Sequence, residues 1–114
     1  FSRNRILEDG SLGCDLLLYV ANWPSKRAHH WQTLLKARAI ENQSYVVGVN
    51  RVGTDGLGIP YIGNSVILDY MGVALAENEG EQITLAAELD PEPMQNWRSK
   101  FPIWKDADEF QIQW

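Results

Sequence analysis

The stretch DLLLYVANWPSKRAHHW, Asp15 to Trp31, decides how this chain is read. Its first part, Leu16 to Ala21, is apolar at every position, which is how a strand covered on both faces of a sheet reads. Pro24 ends that strand. From Arg27 to Asn42 the period becomes helical: Trp31, Leu34 and Leu35 fall at i, i+3 and i+4, with Ser25 as the candidate N-cap. SYVVGVNR then repeats the two-faced apolar pattern, with Tyr45, Val47 and Val49 set against Val46 and Gly48. Strand, helix and strand form a βαβ unit, with parallel strands and a right-handed crossover.

On the N-terminal side, FSRNRILEDG reads as the last turns of a helix that Gly10 stops in a left-handed conformation. On the C-terminal side, VGTDGLGIPYIG is rich in glycine and reads as a long loop. NSVILDYMGVALAE predicts strand, turn at Asp69 to Gly72, and strand; ENEGEQ predicts a turn and QITLAAEL a further strand, giving a meander. Asp90 before Pro91 is an N-cap with proline at the first helical position, opening a short helix to about Lys100. The tail, with Phe101, Trp104 and Phe110, has no clear period and reads as an extended arm. The fold class is therefore α/β, in one segment spanning residues 1–114.

The 114 residues suit one domain, and 45% apolar with 22% charged residues is ordinary for a globular protein. A net charge of -5 opposes binding to nucleic acid or anionic lipid, both of which require a positive surface. The longest apolar run, Leu16 to Ala21, falls far short of the ~20 residues that span a bilayer. One cysteine cannot form an internal disulfide, so the expected setting is cytoplasmic. The chain opens on Phe1 rather than methionine, which predicts a processed product or a piece of something longer. The architecture agrees: strands apolar on both faces need a layer on each side, and this chain supplies one full amphipathic helix. A large apolar surface is left for association or for the other half of a bigger fold.

Parallel strands place ligands beyond their carboxyl ends. Those ends carry Asn22 and Trp23, then Asn50 and Arg51, with Thr54 and Asp55 from the glycine-rich segment. Two amides, a guanidinium and an indole could bind a small polar molecule such as a carboxylate; alternatively they cap strand ends and order the loop. Arg38, on the apolar face of the helix, finds its simplest partner in Glu41 at i+3. A dyad of Cys14 with His29 or His30 fails on distance, because the thiol enters the first strand and the imidazoles follow its end, roughly 20 Å on. Adjacent histidines point about 100° apart on a helix, so no metal site is expected. Nor does GTDGLG, which leads into no helix, make a dinucleotide loop.

DLLLYVANWP, LLKARAIENQSYVVGVNRVGTDG, GNSVILDYMGVAL and FPIWKDADEF, in this order and spacing, resemble the C-terminal half of the nitrilase superfamily of carbon-nitrogen hydrolases. Within it they look most like the omega-amidase branch. The resemblance implies the C-terminal portion of an αββα four-layer sandwich, commonly dimerised with helices stacked across subunits. It implies hydrolysis of a terminal amide of a small keto-dicarboxylic monoamide through a cysteine thioester, with no cofactor and no metal. The family's Glu, Lys, Glu and Cys would all precede Phe1, so no residue here is assigned a catalytic role and Cys14 matches an ordinary position. Asn22 and Trp23 match the segment beside the nucleophile and are the expected substrate-binding residues. The partners implied are the N-terminal half of the same enzyme, a small-molecule amide and a second subunit, and the segment by itself is expected to be inactive. The competing reading is a non-catalytic binding or assembly module that keeps the fold.

Overall fold

The structure is a computed structural model that describes residue 4 and residues 6–108. Strand β1 (Leu16–Ala21) runs to Pro24, where a short 3-10 turn (Ser25–Arg27) leads into helix α1 (Ala28–Asn42). Strand β2 (Tyr45–Asn50) returns parallel to β1 in the register Leu16 with Tyr45 to Ala21 with Asn50. The βαβ unit is thus formed as its periodicity predicts. β3 (Val52–Thr54), β4 (Pro60–Leu68) and β5 (Ala74–Glu79) complete a five-stranded mixed sheet in which β4 pairs antiparallel with β2, β3 and β5. Helix α2 (Pro91–Lys100) follows, capped as expected by Asp90, whose carboxylate accepts from the Glu92 amide at 3.0 Å.

The core lies between α1 and one face of the sheet. Trp31, Leu35 and Ala39 pack on Val46, Val66 and Leu68, with Leu17, Tyr19, Ala21 and Trp23 at the margin. The stripe is shifted from the predicted one, because Leu34 is 43% exposed while Ala39 and Asn42 are buried. Gly48 lets the helix approach: a β-carbon there would stand 2.4 Å from Leu35 Cδ1 and 3.0 Å from Trp31. Ser25 does not cap α1, since its hydroxyl donates across to the Pro60 carbonyl at 2.9 Å and Arg27 takes the cap position. Arg38 does pair with Glu41, on a partly exposed flank of the helix.

Four other expectations are corrected. Residues 6–12 form a tight antiparallel turn, not the end of a helix: Ile6 bridges Leu12, the Leu7 amide donates to the Ser11 carbonyl, and Gly10 is left-handed within that turn. The glycine-rich segment is a hairpin rather than a loop, because Asp55 accepts from the Leu57 and Ile59 amides and folds β3 back onto β4. Gln82 to Leu89 forms no strand, for no strand edge of the described residues pairs with it. The tail contains a 3-10 turn at Ile103–Asp106, with the Trp104 indole donating to the Gly10 carbonyl at 3.0 Å; Phe110 lies outside the described residues.

The strands expected to be covered on both sides are covered on one. Leu18 is 67% and Val20 84% exposed, and Val49 beside them is exposed too, so the face opposite α1 is bare. The chain spans 48 × 41 × 18 Å with a radius of gyration of 16.2 Å, where a compact chain of this length gives about 13 Å. It exposes 8089 Å², against about 6,300 Å² for a compact protein of this mass. The fold class is the predicted α/β, a sheet with one helical layer.

At the amino ends of β1 and β2, α2 is held by a polar hub that the sequence reading did not find. Arg98, 3% exposed, donates to the carbonyls of Gln43 and Cys14 and to Ser44 Oγ, each at 2.9 Å, and pairs with Asp15. Asn4 donates to the same Cys14 carbonyl at 2.6 Å.

Candidate functional site at the carboxyl ends of the parallel strands

Asn50 builds this edge. Its Oδ1 accepts from the Trp23 amide at 2.7 Å, while its Nδ2 donates to the carbonyls of Trp23 at 2.9 Å and Gly63 at 2.8 Å. Ser65 Oγ accepts from the Asn50 amide at 3.0 Å and donates back to the Asn50 carbonyl at 3.2 Å. One side chain therefore ties the end of β1 to β2 and β4. Its hydrogen-bonding capacity is consumed in doing so, which favours the strand-capping reading for Asn50.

Trp23 is held just as firmly. Its indole N–H donates to the Arg27 carbonyl at 2.6 Å, its ring lies 5.7 Å from that of Trp31, and the Arg27 guanidinium sits over it at 5.4 Å. The indole is packed against the helix-bearing side of the sheet. Asn22, by contrast, is exposed and makes no side-chain hydrogen bond among the described residues. The two expected binding residues are thus adjacent in sequence and differ in environment.

Arg51 stacks over the Tyr61 ring, its guanidinium carbon 4.7 Å from the centroid, and donates one long hydrogen bond of 3.4 Å to the Thr54 carbonyl. Tyr61 in turn donates to Asp55 Oδ2 at 3.0 Å. The Ile59 amide holds the Asp55 carboxyl below the usual carboxylate range, helped by Leu57, Tyr61 and the charge of Arg51 against some desolvation. The same Asp55 hydrogen bond pushes the Tyr61 phenol up. Of the six residues expected at this edge, Arg51, Thr54 and Asp55 are connected through Tyr61, and Asn50 is connected separately to Trp23.

A cleft of about 380 Å³ opens beside them, lined by Val49, Asn50, Arg51, Ser65, Asn78 and Gln82 among others, with Glu81 on its wall. Val49 belongs to the bare face, so the cleft opens on the side that this chain leaves uncovered. Ser65, Asn78 and Gln82 escaped the sequence reading, since only the register of β4 and β5 brings them beside β2. The arrangement can hold a polar ligand by a guanidinium and neutral hydrogen-bonding groups. It carries no thiol or imidazole among the described lining residues. Cys14 lies at the opposite end of β1, where its Sγ donates to the Leu16 carbonyl at 3.0 Å. His29 and His30 are exposed with rings 6.4 Å apart, and no His, Cys, Asp or Glu group suited to a metal occurs among the described residues. No described helix is long and apolar enough to cross a membrane.

The chain is 59% identical over 97 residues to the omega-amidase YafV of Yersinia enterocolitica and 43% identical over 94 residues to the 2-oxoglutaramate amidase of Paenarthrobacter nicotinovorans. These matches cover 84% and 82% of this chain but only 38% and 32% of the relatives, so the chain spans little more than a third of their length. The crystal structure of XC1258 from Xanthomonas campestris, a CN-hydrolase superfamily protein, superposes with a TM-score of 0.91 at 40% identity, covering 98% of this chain and 43% of that one. Residues 7–99 match the carbon-nitrogen hydrolase model, and the chain belongs to that family.

Proposed function

We propose that this segment is the C-terminal part of an amidase that hydrolyses the terminal amide of a small carboxylate-bearing substrate through a cysteine thioester. The observation that carries the reading is the bare apolar face: a sheet apolar on both sides, covered on one, in a chain that spans about 38% of a 59% identical omega-amidase. The portion preceding Phe1 then supplies both the second sheet layer, packed on Leu18, Val20 and Val49, and the Glu, Lys, Glu and Cys set that the family resemblance implies. Thiolate attacks the amide carbonyl, ammonia leaves with a proton from the glutamate, and water hydrolyses the thioester. This segment contributes a wall: Asn50 fixes the Trp23 turn, Asn22 projects beside it, and the Arg51 cleft opens toward the incoming layer. The substrate class is that of the 2-oxoglutaramate amidases it resembles. The working unit is a cytoplasmic dimer, and the segment by itself is inactive.

The coding sequence upstream of Phe1 tests the reading. An in-frame series of Glu, Lys, Glu and Cys, the cysteine closely preceding Phe1, is the expected result. A start codon immediately before Phe1 would refute it and leave a non-catalytic module with the same fold.

A further inference from the structure

The carboxyl-end cluster contains one charge whose hydrogen bonds are left over. Arg51 carries five N–H donors, yet a single long contact to the Thr54 carbonyl is its only hydrogen bond among the described residues. Two ion pairs occur among the described residues, and Arg51 is in neither. The nearby Asp55 carboxylate is committed elsewhere, with Oδ1 on the Leu57 and Ile59 amides and Oδ2 on the Tyr61 hydroxyl. Meanwhile the Tyr61 ring, 4.7 Å from the guanidinium, holds Arg51 in place, and Tyr61 is itself buried and anchored by Asp55. The result is a pre-positioned guanidinium with an open fork, borne by a residue that lines a cleft whose hydrogen-bonding groups are otherwise neutral apart from Glu81.

From this geometry we infer that Arg51 is the specificity residue that receives the carboxylate of the substrate. The inference rests on the amidase reading above and adds to it the group that selects a carboxylate-bearing amide over a neutral one. A carboxylate fits the planar fork with two parallel hydrogen bonds, and the adjoining Asn78 and Gln82 amides can serve its remaining oxygen lone pairs. Position supports it independently. Arg51 directly follows Asn50, the last residue of β2, at the carboxyl ends of the parallel strands, where ligands of open α/β sheets bind. Glu81 on the same cleft makes no ion pair with Arg51 and so leaves the fork open, while its charge opposes a carboxylate there and has to be outweighed by the two guanidinium hydrogen bonds.

The test uses the complete natural protein and two substrates, 2-oxoglutaramate and its methyl ester, which lacks the negative charge. Arg51→Gln should raise KM for the acid about a hundredfold with kcat little changed, and alter kcat/KM for the ester less than threefold. Arg51→Lys should recover part of the loss, since it restores the charge without the fork. Equal losses on acid and ester would assign Arg51 a structural role and overturn the inference, as would unchanged discrimination. Calorimetric titration with glutarate keeps the two readings separable. Should the wild-type protein hydrolyse neither substrate, the amidase reading fails, while glutarate binding that Arg51→Gln abolishes still supports the carboxylate site; no glutarate binding to the wild type overturns it.

Discussion

Asn50→Ala is the substitution from which the account of the carboxyl-end edge predicts most. The amide makes three hydrogen bonds, one accepted from the Trp23 amide and two donated to the carbonyls of Trp23 and Gly63, all between 2.7 and 2.9 Å. A net contribution of roughly 1 kcal/mol each, with a further cost where a partner stays dry, gives about 2–4 kcal/mol of local stability. Because these bonds hold the turn after β1, the loss should appear as local opening. Amide hydrogen exchange at Trp23, followed in the complete protein, should quicken by about thirtyfold to several hundredfold. Asn50→Asp should be equally harmful, since a carboxylate cannot donate and would set an oxygen against two carbonyls. Asn22→Ala is the control: its side chain is exposed and unbonded, so its effect should stay within about 0.5 kcal/mol. Exchange at Trp23 within threefold of wild type in Asn50→Ala, or equal damage from Asn22→Ala, would refute the reasoning.

The remaining predictions concern packing, the hub and pH. Gly48→Ala should cost about 1–3 kcal/mol in urea unfolding, because a β-carbon 2.4 Å from Leu35 Cδ1 forces the α1 contact apart. Arg98→Met should loosen α2, costing about 2–4 kcal/mol by stranding the Gln43 carbonyl and removing the Asp15 pair; it should speed exchange of the α2 amides before those of β2. The folded-state pKa of Asp55 is depressed, so its contribution is present above the unfolded value and lost as pH falls through the folded one. NMR titration should therefore show the Ile59 amide shift moving in acid below the ordinary carboxylate range, with nothing at neutral pH, and Asp55→Asn should abolish that transition.

How much of this was legible in the sequence follows from range. The βαβ unit was readable because its signals are local: the apolar run from Leu16, the stop at Pro24, and the period change at Trp31. Asp90 was readable as a cap for the same reason. The hairpin at Asp55 was missed although the same Asp-x-x-Gly turn was recognised at Asp69, because glycine content outweighed the pattern; both aspartates accept from the amides two and four residues on. Spacing alone puts Leu34 in the helix stripe, whereas Ala39 joins Trp31 and Leu35 against the sheet and Asn42 is buried beside Asn4.

The site divided along the same line. Asn22, Trp23, Asn50 and Arg51 could be placed at one edge from topology. That Asn50 spends its amide on Trp23 and Gly63, whereas Arg51 keeps most of its donors, depends on the register of β4, which no local pattern encodes. The bare face was foreseen for a physical reason: Leu18 and Val20 are apolar where a one-layer sheet would be polar. Gln82 to Leu89, apolar in alternation yet unpaired here, carries the same message at an edge.

The central claim is that this segment supplies fold and pocket wall while the nucleophile precedes it. Ammonia release from 2-oxoglutaramate tests it most directly, comparing the protein translated from the complete reading frame with its Cys14→Ala variant and with residues 1–114 alone. The account predicts full activity in Cys14→Ala and none in the isolated segment. Loss of activity in Cys14→Ala with its fold intact, or turnover by residues 1–114 alone, would contradict it.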